Sequence, residues 1–540
     1  MSIKTGKKLG FIASLTMLIG SVVGIGIFFK SHGVLKANDW NGTGAFLAWL
    51  LGGLLSLSAA VSFSEISSLK TKNVHGLAAW AEVTGGKKLG YFTRFNFSFF
   101  YYGLLASVLG VFGSEMVFNI IIALSNEKYV MGDFPVYTHI ILGFIFIIFF
   151  HATNYFSIRA SGIIATVSTI LKWVPLILVA LLGILFATTN FSGPLERKDL
   201  LHHYGENAFS NGQSFSFVGM LAALPAVLFA FDSFLGVASM RNKMEEPKKL
   251  PAVVLVGMIS VLILYIFIAL AAILHGSGMV SGLPFGAKGK DGMGIFDQIF
   301  QPSQAMIIGK FVIIFIAIST FGVMSGISAA AIATHEQAIQ TNSIFGAKTL
   351  RAKFGDKKVI LGYTLFVTLF WTAAFGIPAI IFNSDSIVDG MSNFPTLFFF
   401  AIYALVILLY TVRRDSFKTT KTNTILFKTF AWIAIVGIVF VVGYQLTYGF
   451  LINAILNPAE TTHWGLFAGD VATDGKVFPT KFDVAQGQGV EMTLAQSSIV
   501  MFALSAVFFI APTINLLLTR KYENNNVIVE TQKEIKVTNT

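Results

Sequence analysis

Apolar runs of about membrane length recur from Leu9 to Leu518, and this recurrence limits what the chain can become. A helix needs roughly 20 apolar residues to cross about 30 Å of hydrocarbon. Twelve stretches meet that requirement: 9–29, 43–69, 92–124, 138–156, 162–189, 216–239, 251–275, 304–333, 359–382, 390–412, 429–453 and 496–519. Charged residues supply 12% of the chain, about half of the roughly 25% that covers a soluble domain. A soluble multidomain enzyme and a disordered or fibrous chain are therefore excluded. The fold class is all-α, a polytopic membrane protein.

The placement of charge sets an expected orientation. With the N-terminus in the cytoplasm, the inner segments hold 27 lysines and arginines and the outer ones hold 9, Lys30 and Lys36 among them. Lys172 and Lys310 fall in or at spans. Such an excess is the positive-inside pattern, so the net charge of +11 needs no nucleic acid to explain it. Both termini are expected in the cytoplasm of a cell-membrane protein. The first span follows Lys4, Lys7 and Lys8, yet it is long, carries mid-span glycines and lacks a small-residue cleavage site, so it reads as a retained helix and not a signal peptide. With no cysteines, disulfides, thiolate metal sites and cysteine nucleophiles are excluded.

Two spans are poor candidates for continuous helices. The first contains Gly20-Ser21-Val22-Val23-Gly24-Ile25-Gly26-Ile27-Phe28. Gly20 and Gly24 suit helix packing, but Gly26 adds a third helix-weakening residue. The sixth contains Pro225, then Phe229-Ala230-Phe231-Asp232-Ser233-Phe234 with Gly236 after it. An aspartate at this depth costs about 2.5–3.5 kcal/mol on insertion scales and must face a cavity or a partner. Paired interruptions at corresponding positions of two halves point to a transporter's binding site. The half-helix after the first break offers free N–H groups and a partial positive charge to a carboxylate. Unwound carbonyls at the second offer acceptors to an ammonium. A ligand carrying both groups is an amino acid.

These segments resemble the amino acid–polyamine–organocation permease superfamily. Gly20–Phe28 is similar to its opening G-S/T-x-x-G-x-G-I-F motif, and Ser58–Ile66 to the A-L-S-Y-A-E-L segment of the second span. Gly76–Trp80 stands where the family has G-G-x-Y-x-Y. Phe229–Phe234 resembles the F-A-Y-x-G-F break, and Glu246–Pro251 the N-P-x-x-x-(I/L)-P that follows. The likeness runs in order from residue 9 to about 410 and fades from the eighth span onward. It implies a 5+5 inverted-repeat fold, the discontinuous first and sixth helices holding substrate near the midplane. The units would be a terminus 1–8, repeats 9–189 and 216–412 joined by an extracellular loop 190–215, two additional helices within 413–519 with an extracellular loop 454–495, and a cytoplasmic tail 520–540. By the same resemblance, the amides of Gly24, Ile25 and Gly26 would hold an α-carboxylate. The carbonyls of Phe229, Ala230 and Phe231, with those around Val22, would hold an α-amino group, and Phe229 would gate the site. Departures occur at Ile25, which would narrow the pocket, and at Asp232 and Ser233. The Asp232 carboxylate is open to a cationic side chain, a proton or a neighbouring lysine, and Phe231, Phe234, Ile25 and Asp232 admit large apolar and cationic side chains alike.

Lys172 lies ten residues into its span, about 15 Å deep and beyond comfortable snorkelling. Some family members carry a lysine on this span in the place that sodium takes in related transporters. Lys172 is thus expected to couple uptake to protons, with a purely structural ammonium as the alternative and sodium still open. Glu115 is expected at the outer interface, Glu65 at the inner end of the second span, and Tyr101 and Tyr102 near mid-membrane. His202-His203 and His335-Glu336 have no spaced third ligand, and no HExxH or GxxxxGK[ST] motif occurs. The expected function is a secondary-active amino acid permease, not an enzyme, importing by alternating access without a cofactor or a metal. An amino acid or polyamine exchanger is the rival reading, with a channel or receptor-like sensor behind it. The partners are the substrate and the lipid bilayer; oligomeric state is not fixed.

Overall fold

In hydrocarbon every peptide group must find its partner within the protein, and the elements described are all helices. The molecule is a computed structural model. It describes residues 10–39, 41–69, 76–125, 133–157, 170–188, 214–235, 244–275, 302–382, 386–459 and 493–522, with single positions between them. The terminus 1–8, most of 190–215 and 454–495, and the tail after Tyr522 lie outside the described residues, as do Arg159, His202-His203 and Gly236.

Helix α1 (Phe11–Val22) and α2 (Ile25–Lys36) form the first span, which runs on past the expected limit at residue 29. Next come α3 (Gly42–Ile66), the short α4 (Leu77–Gly85), and α5 (Lys87–Asn96). A π-helical stretch, Phe97–Tyr102, joins α5 to α6 (Gly103–Leu124). Then follow α7 (Val136–Phe156) and α8 (Trp173–Thr188). The sixth span holds α9 (Phe217–Ala222) and α10 (Leu224–Phe231). Beyond it lie α11 (Leu250–His275), α12 (Pro302–Gln340), α13 (Ala347–Phe354), α14 (Asp356–Ile381), α15 (Ser386–Val412), α16 (Thr424–Tyr444) and α17 (Leu494–Tyr522). Among the described residues nine helices are long and apolar enough to cross a membrane. They match the expected spans other than the first, fifth and sixth.

Local chemistry sets several boundaries. The Asn41 side chain accepts the Gly44 N–H at 2.9 Å and opens α3. Asn423 likewise accepts from Ile425 at 2.9 Å and Leu426 at 3.2 Å to open α16. Between α4 and α5 the chain turns at Gly86 with φ +85°, a conformation that a side chain would strain.

The helices pack as two groups. One consists of α6, α7, α12 and α14 in mutual contact, and the other of α1, α2, α3, α10 and α11. Helix α15 touches members of both. Without a hydrophobic driving force between helices in lipid, small residues let backbones approach. At the α6–α7 crossing a Cβ on Gly110 would collide with the carbonyl of Gly143.

At the end of α3 the fully buried Glu65 receives Arg414 Nε at 2.7 Å and Nη2 at 2.9 Å. Tyr410 donates to it at 2.8 Å, and Thr422 donates through its amide at 2.8 Å and its hydroxyl at 2.6 Å. A buried carboxylate with this many donors ties α3 to the chain between α15 and α16, consistent with its expected place at a span end. Glu115 differs from expectation. It is 1% exposed, because α6 is buried on every face from Gly103 to Met116 and continues to Leu124, so Glu115 meets protein and not the helix end.

The two kinds of glycine environment predict opposite effects. Gly110→Ala should cost about 1–3 kcal/mol through forced separation of α6 and α7. Gly443→Ala, with nothing within 4 Å of the added atom, should gain up to about 1 kcal/mol of helix propensity. Apparent Tm in detergent checks both, and equal shifts would refute the close crossing.

Candidate substrate site

The first span is broken at its middle. Helix α1 closes at Val22, Val23 (φ −69°, ψ 97°) and Gly24 (φ −142°, ψ −152°) are extended, and α2 restarts at Ile25. The second break follows α10, where Asp232 is extended (φ −67°, ψ 179°) and Ser233 takes φ +77°. A left-handed conformation at a non-glycine residue is uncommon and collects at functional positions. The two breaks touch. A Cβ on Gly26 would stand 2.5 Å from Ala230 Cα, so glycine is required there for the chains to meet.

The freed peptide groups have identifiable partners. Lys172 Nζ donates to the carbonyls of Gly20 and, at 2.8 Å, Val23, spanning the first break from the foot of α8. The Tyr265 hydroxyl of α11 lies 3.0 Å from the Val22 carbonyl and 3.1 Å from the Ala230 carbonyl, one proton shared between the two breaks. The amides of Ile25 and Gly26 sit in the first turn of α2, where a helix start supplies no intrahelical partner.

Paired breaks of this kind define a class of membrane protein, and the sequence comparisons name it. The amino acid permease family model matches residues 9–467. The chain belongs to the amino acid permease family. An uncharacterized protein of Mycoplasma pneumoniae is 23% identical over 478 residues, covering 79% of this permease and 82% of the relative. The serine/threonine exchanger SteT of Bacillus subtilis is 26% identical, covering 59% of this chain and 65% of its own. The human b(0,+)-type amino acid transporter 1 is 23% identical, with 48% of this chain and 50% of its own covered. The permease thus spans between half and two thirds of these two named relatives. Its fold is similar to that in the crystal structure of MhsT in complex with L-phenylalanine, with a TM-score of 0.50 and 14% identity over 81% of this chain and 99% of that one.

The other expected site residues are distributed unevenly around the breaks of the permease. Asp232 accepts from Tyr101 in the π-helical stretch, from the Ser233 amide at 2.8 Å and from Tyr403 of α15 at 3.3 Å. Among the described residues its hydrogen-bond partners are tyrosines and a peptide group, and not the neighbouring lysine considered from sequence. The π-helical stretch is a register shift of the kind found at functional sites, and it carries the tyrosine that reaches Asp232. Phe229 is half-buried, whereas the Phe231 ring packs into the core against Trp49 and Tyr265, and Phe234 against Phe63 and Tyr403. Val22, Gly24, Gly26 and Ala230 are buried at the junction, and the side chain of Ile25 lies outside those described.

Lys30 corrects the charge reading. It belongs to α2 and not to an outer loop, and it is 2% exposed. Its ammonium pairs with Asp389 of α15, donates to Ser392, and lies 4.9 Å from the centre of the Phe229 ring. Since the two charges satisfy each other, α2 continues to Lys36 and α15 begins at Ser386, before the expected start at residue 390. His335 is also internal, bonded to Thr364 at 2.9 Å and the Ser98 carbonyl at 3.1 Å. Among the described residues no group of three or more potential metal ligands occurs. Sequence reasoning missed Lys30, Asp389, Tyr265 and Tyr403. A charge one residue beyond the end of a presumed span and an acid just before another were the available signals; the tyrosines gave none.

Lys30→Met is expected to lower stability by about 3–5 kcal/mol, because it leaves a buried unpaired carboxylate. Lys30→Met/Asp389→Leu should restore more than half of that loss. Apparent Tm of the purified variants decides, and a double variant no better than the single would sink the assignment.

Proposed function

We propose that this permease is a secondary-active amino acid importer working by alternating access, with the substrate held between the two breaks. The carrying observation is the meeting of interrupted backbones at Gly26 and Ala230, which places helix-start amides beside freed carbonyls. In this reading the amides of Gly24, Ile25 and Gly26 take the α-carboxylate. The carbonyls of Phe229, Ala230, Phe231 and Val22 take the ammonium through their remaining lone pairs. Phe229, beneath Lys30, closes one side. Asp232 acts through Tyr101 and Tyr403, shaping the pocket from behind.

The architecture is proposed as two five-helix repeats, 9–189 and 216–412, followed by two further helices, twelve spans in all. Support comes from the pattern of contacts. The first span packs on the seventh as the sixth packs on the second, the third on the fourth as the eighth on the ninth, and the third on the ninth as the eighth on the fourth. Exchanging the halves maps these contacts onto themselves. The positive-inside count supports cytoplasmic termini and a cell-membrane location.

Lys172 is proposed as the coupling group, because its ammonium bridges two carbonyls across the break where a bound cation would otherwise satisfy them. Loss of its proton on one side of the cycle would free Gly20 and Val23 and loosen α1 from α8. An exchange mode is the second reading, favoured by the name of the relative SteT, a serine/threonine exchanger, and by the ability of a permanently charged Lys172 to hold the break without an ion.

Thermal-shift screening of the purified protein against the twenty amino acids and common polyamines tests the site. A ligand at 100-fold over its Kd adds about 2.7 kcal/mol to the folded state. At least one α-amino acid should raise Tm, and Gly26→Val should abolish that rise; a rise unchanged in Gly26→Val would remove the junction from substrate binding. Uptake into proteoliposomes then separates the modes. Proton coupling requires acceleration by an inward pH gradient and its loss in Lys172→Ala, whereas indifference to the gradient with acceleration by preloaded substrate establishes exchange. Strict dependence on sodium would discard both the proton and the lysine.

A further inference from the structure

Away from the helix breaks, a short amphipathic helix lies where two membrane-length helices leave the apolar region. Helix α13 (Ala347–Phe354) stands between the end of α12 at Gln340 and the start of α14 at Asp356. Leu350, Phe354, Phe345 and Phe366 are large apolar side chains left exposed there, by 38–57%. With Ile344 and Lys358 they line a cleft of about 420 Å³.

Lys358 lines this cleft, and the segment that borders it is cationic. Residues 347–358 contain Lys348, Arg351, Lys353, Lys357 and Lys358 against a single acid, Asp356. That acid is already engaged, since Arg351 approaches its two oxygens at 2.9 Å and 3.2 Å. Lys353, Lys357 and Lys358 are exposed, so this edge keeps a positive field after the Arg351–Asp356 pair is discounted. Basic residues alone would be a topology signal. The apolar cleft beside them is a separate feature, and together they form a receptor for a molecule with an anionic head and a hydrocarbon body. Basic pockets between spans bind anionic lipid headgroups in this way, and acyl methylenes gain by leaving water for apolar surface.

We propose that this cleft is a binding site for an anionic phospholipid. The acyl chain lies against Leu350, Phe354 and Phe366, and the phosphate faces Lys353, Lys357 and Lys358. The site is independent of the substrate junction, so its failure would leave the transport reading untouched.

Native mass spectrometry and thermal shift of the full-length protein in detergent provide the test, with dioleoylphosphatidylglycerol, dioleoylphosphatidylcholine and inorganic phosphate as probes. The phosphatidylglycerol should be retained and should raise Tm, while the other two should not. Lys353→Gln/Lys357→Gln/Lys358→Gln should reduce retention at least tenfold. Leu350→Trp, which fills the cleft and keeps every charge, should reduce it comparably. Lys418→Gln/Lys421→Gln/Lys428→Gln, in another basic segment, should behave as the parent. Equal retention of phosphatidylcholine, an equal Tm shift from phosphate alone, equal losses in the two triple variants, or full retention by Leu350→Trp would each overturn the proposal.

Discussion

An unpaired peptide group in hydrocarbon is too costly to persist, and the centre of this protein is organised around that constraint. Two spans stop being helical midway, and each stop releases carbonyls and amides that need partners. Lys172 bridges Gly20 and Val23, and Tyr265 reaches Val22 and Ala230. Both come from outside the broken spans, Lys172 from just before α8 and Tyr265 from α11. The interruption is therefore a property of the assembled bundle and not of either span alone. It persists because groups distant in sequence meet it.

The same logic governs charge. Three buried carboxylates each bind two or more elements together. Glu65 holds the end of α3 to Arg414, Asp389 joins α15 to Lys30 on α2, and Asp232 collects tyrosines from the π-helical stretch and α15. Buried pairs contribute little net stability, but removing one partner is expensive. Their effect is to fix which helix faces which. Two of the three lie at the helix breaks, Asp232 within the second and Asp389 paired with Lys30 on α2.

Much of the fold was legible because hydropathy over about twenty residues is a local quantity. The spans at 43–69, 138–156 and 251–275 needed no tertiary information. The interruptions were legible for a similar reason: three close glycines in one span, and a proline followed by an aspartate in the other, weaken a helix wherever it is placed. Errors arose where a charge was judged by its own solvation. Lys30 read as the end of a span and Glu115 as an interfacial residue, since an isolated charge belongs near water. Each is buried because protein, and not lipid, surrounds it. Tyr265 and Tyr403 were invisible, as a tyrosine in an apolar run carries no mark of the carbonyl or carboxylate that it will meet.

The sequence alone determined a helical membrane protein with weak points in its first and sixth spans, because length, apolarity and helix propensity act within a segment; the permease type came from the resemblance of its motifs. Only the tertiary structure decided what those weak points touch. Contact between Gly26 and Ala230, the reach of Lys172 and Tyr265 into the breaks, and the pairing of Lys30 with Asp389 depend on distances between residues as many as 359 positions apart. No local pattern encodes such distances; they follow from how helices pack once the bilayer has forced them to form.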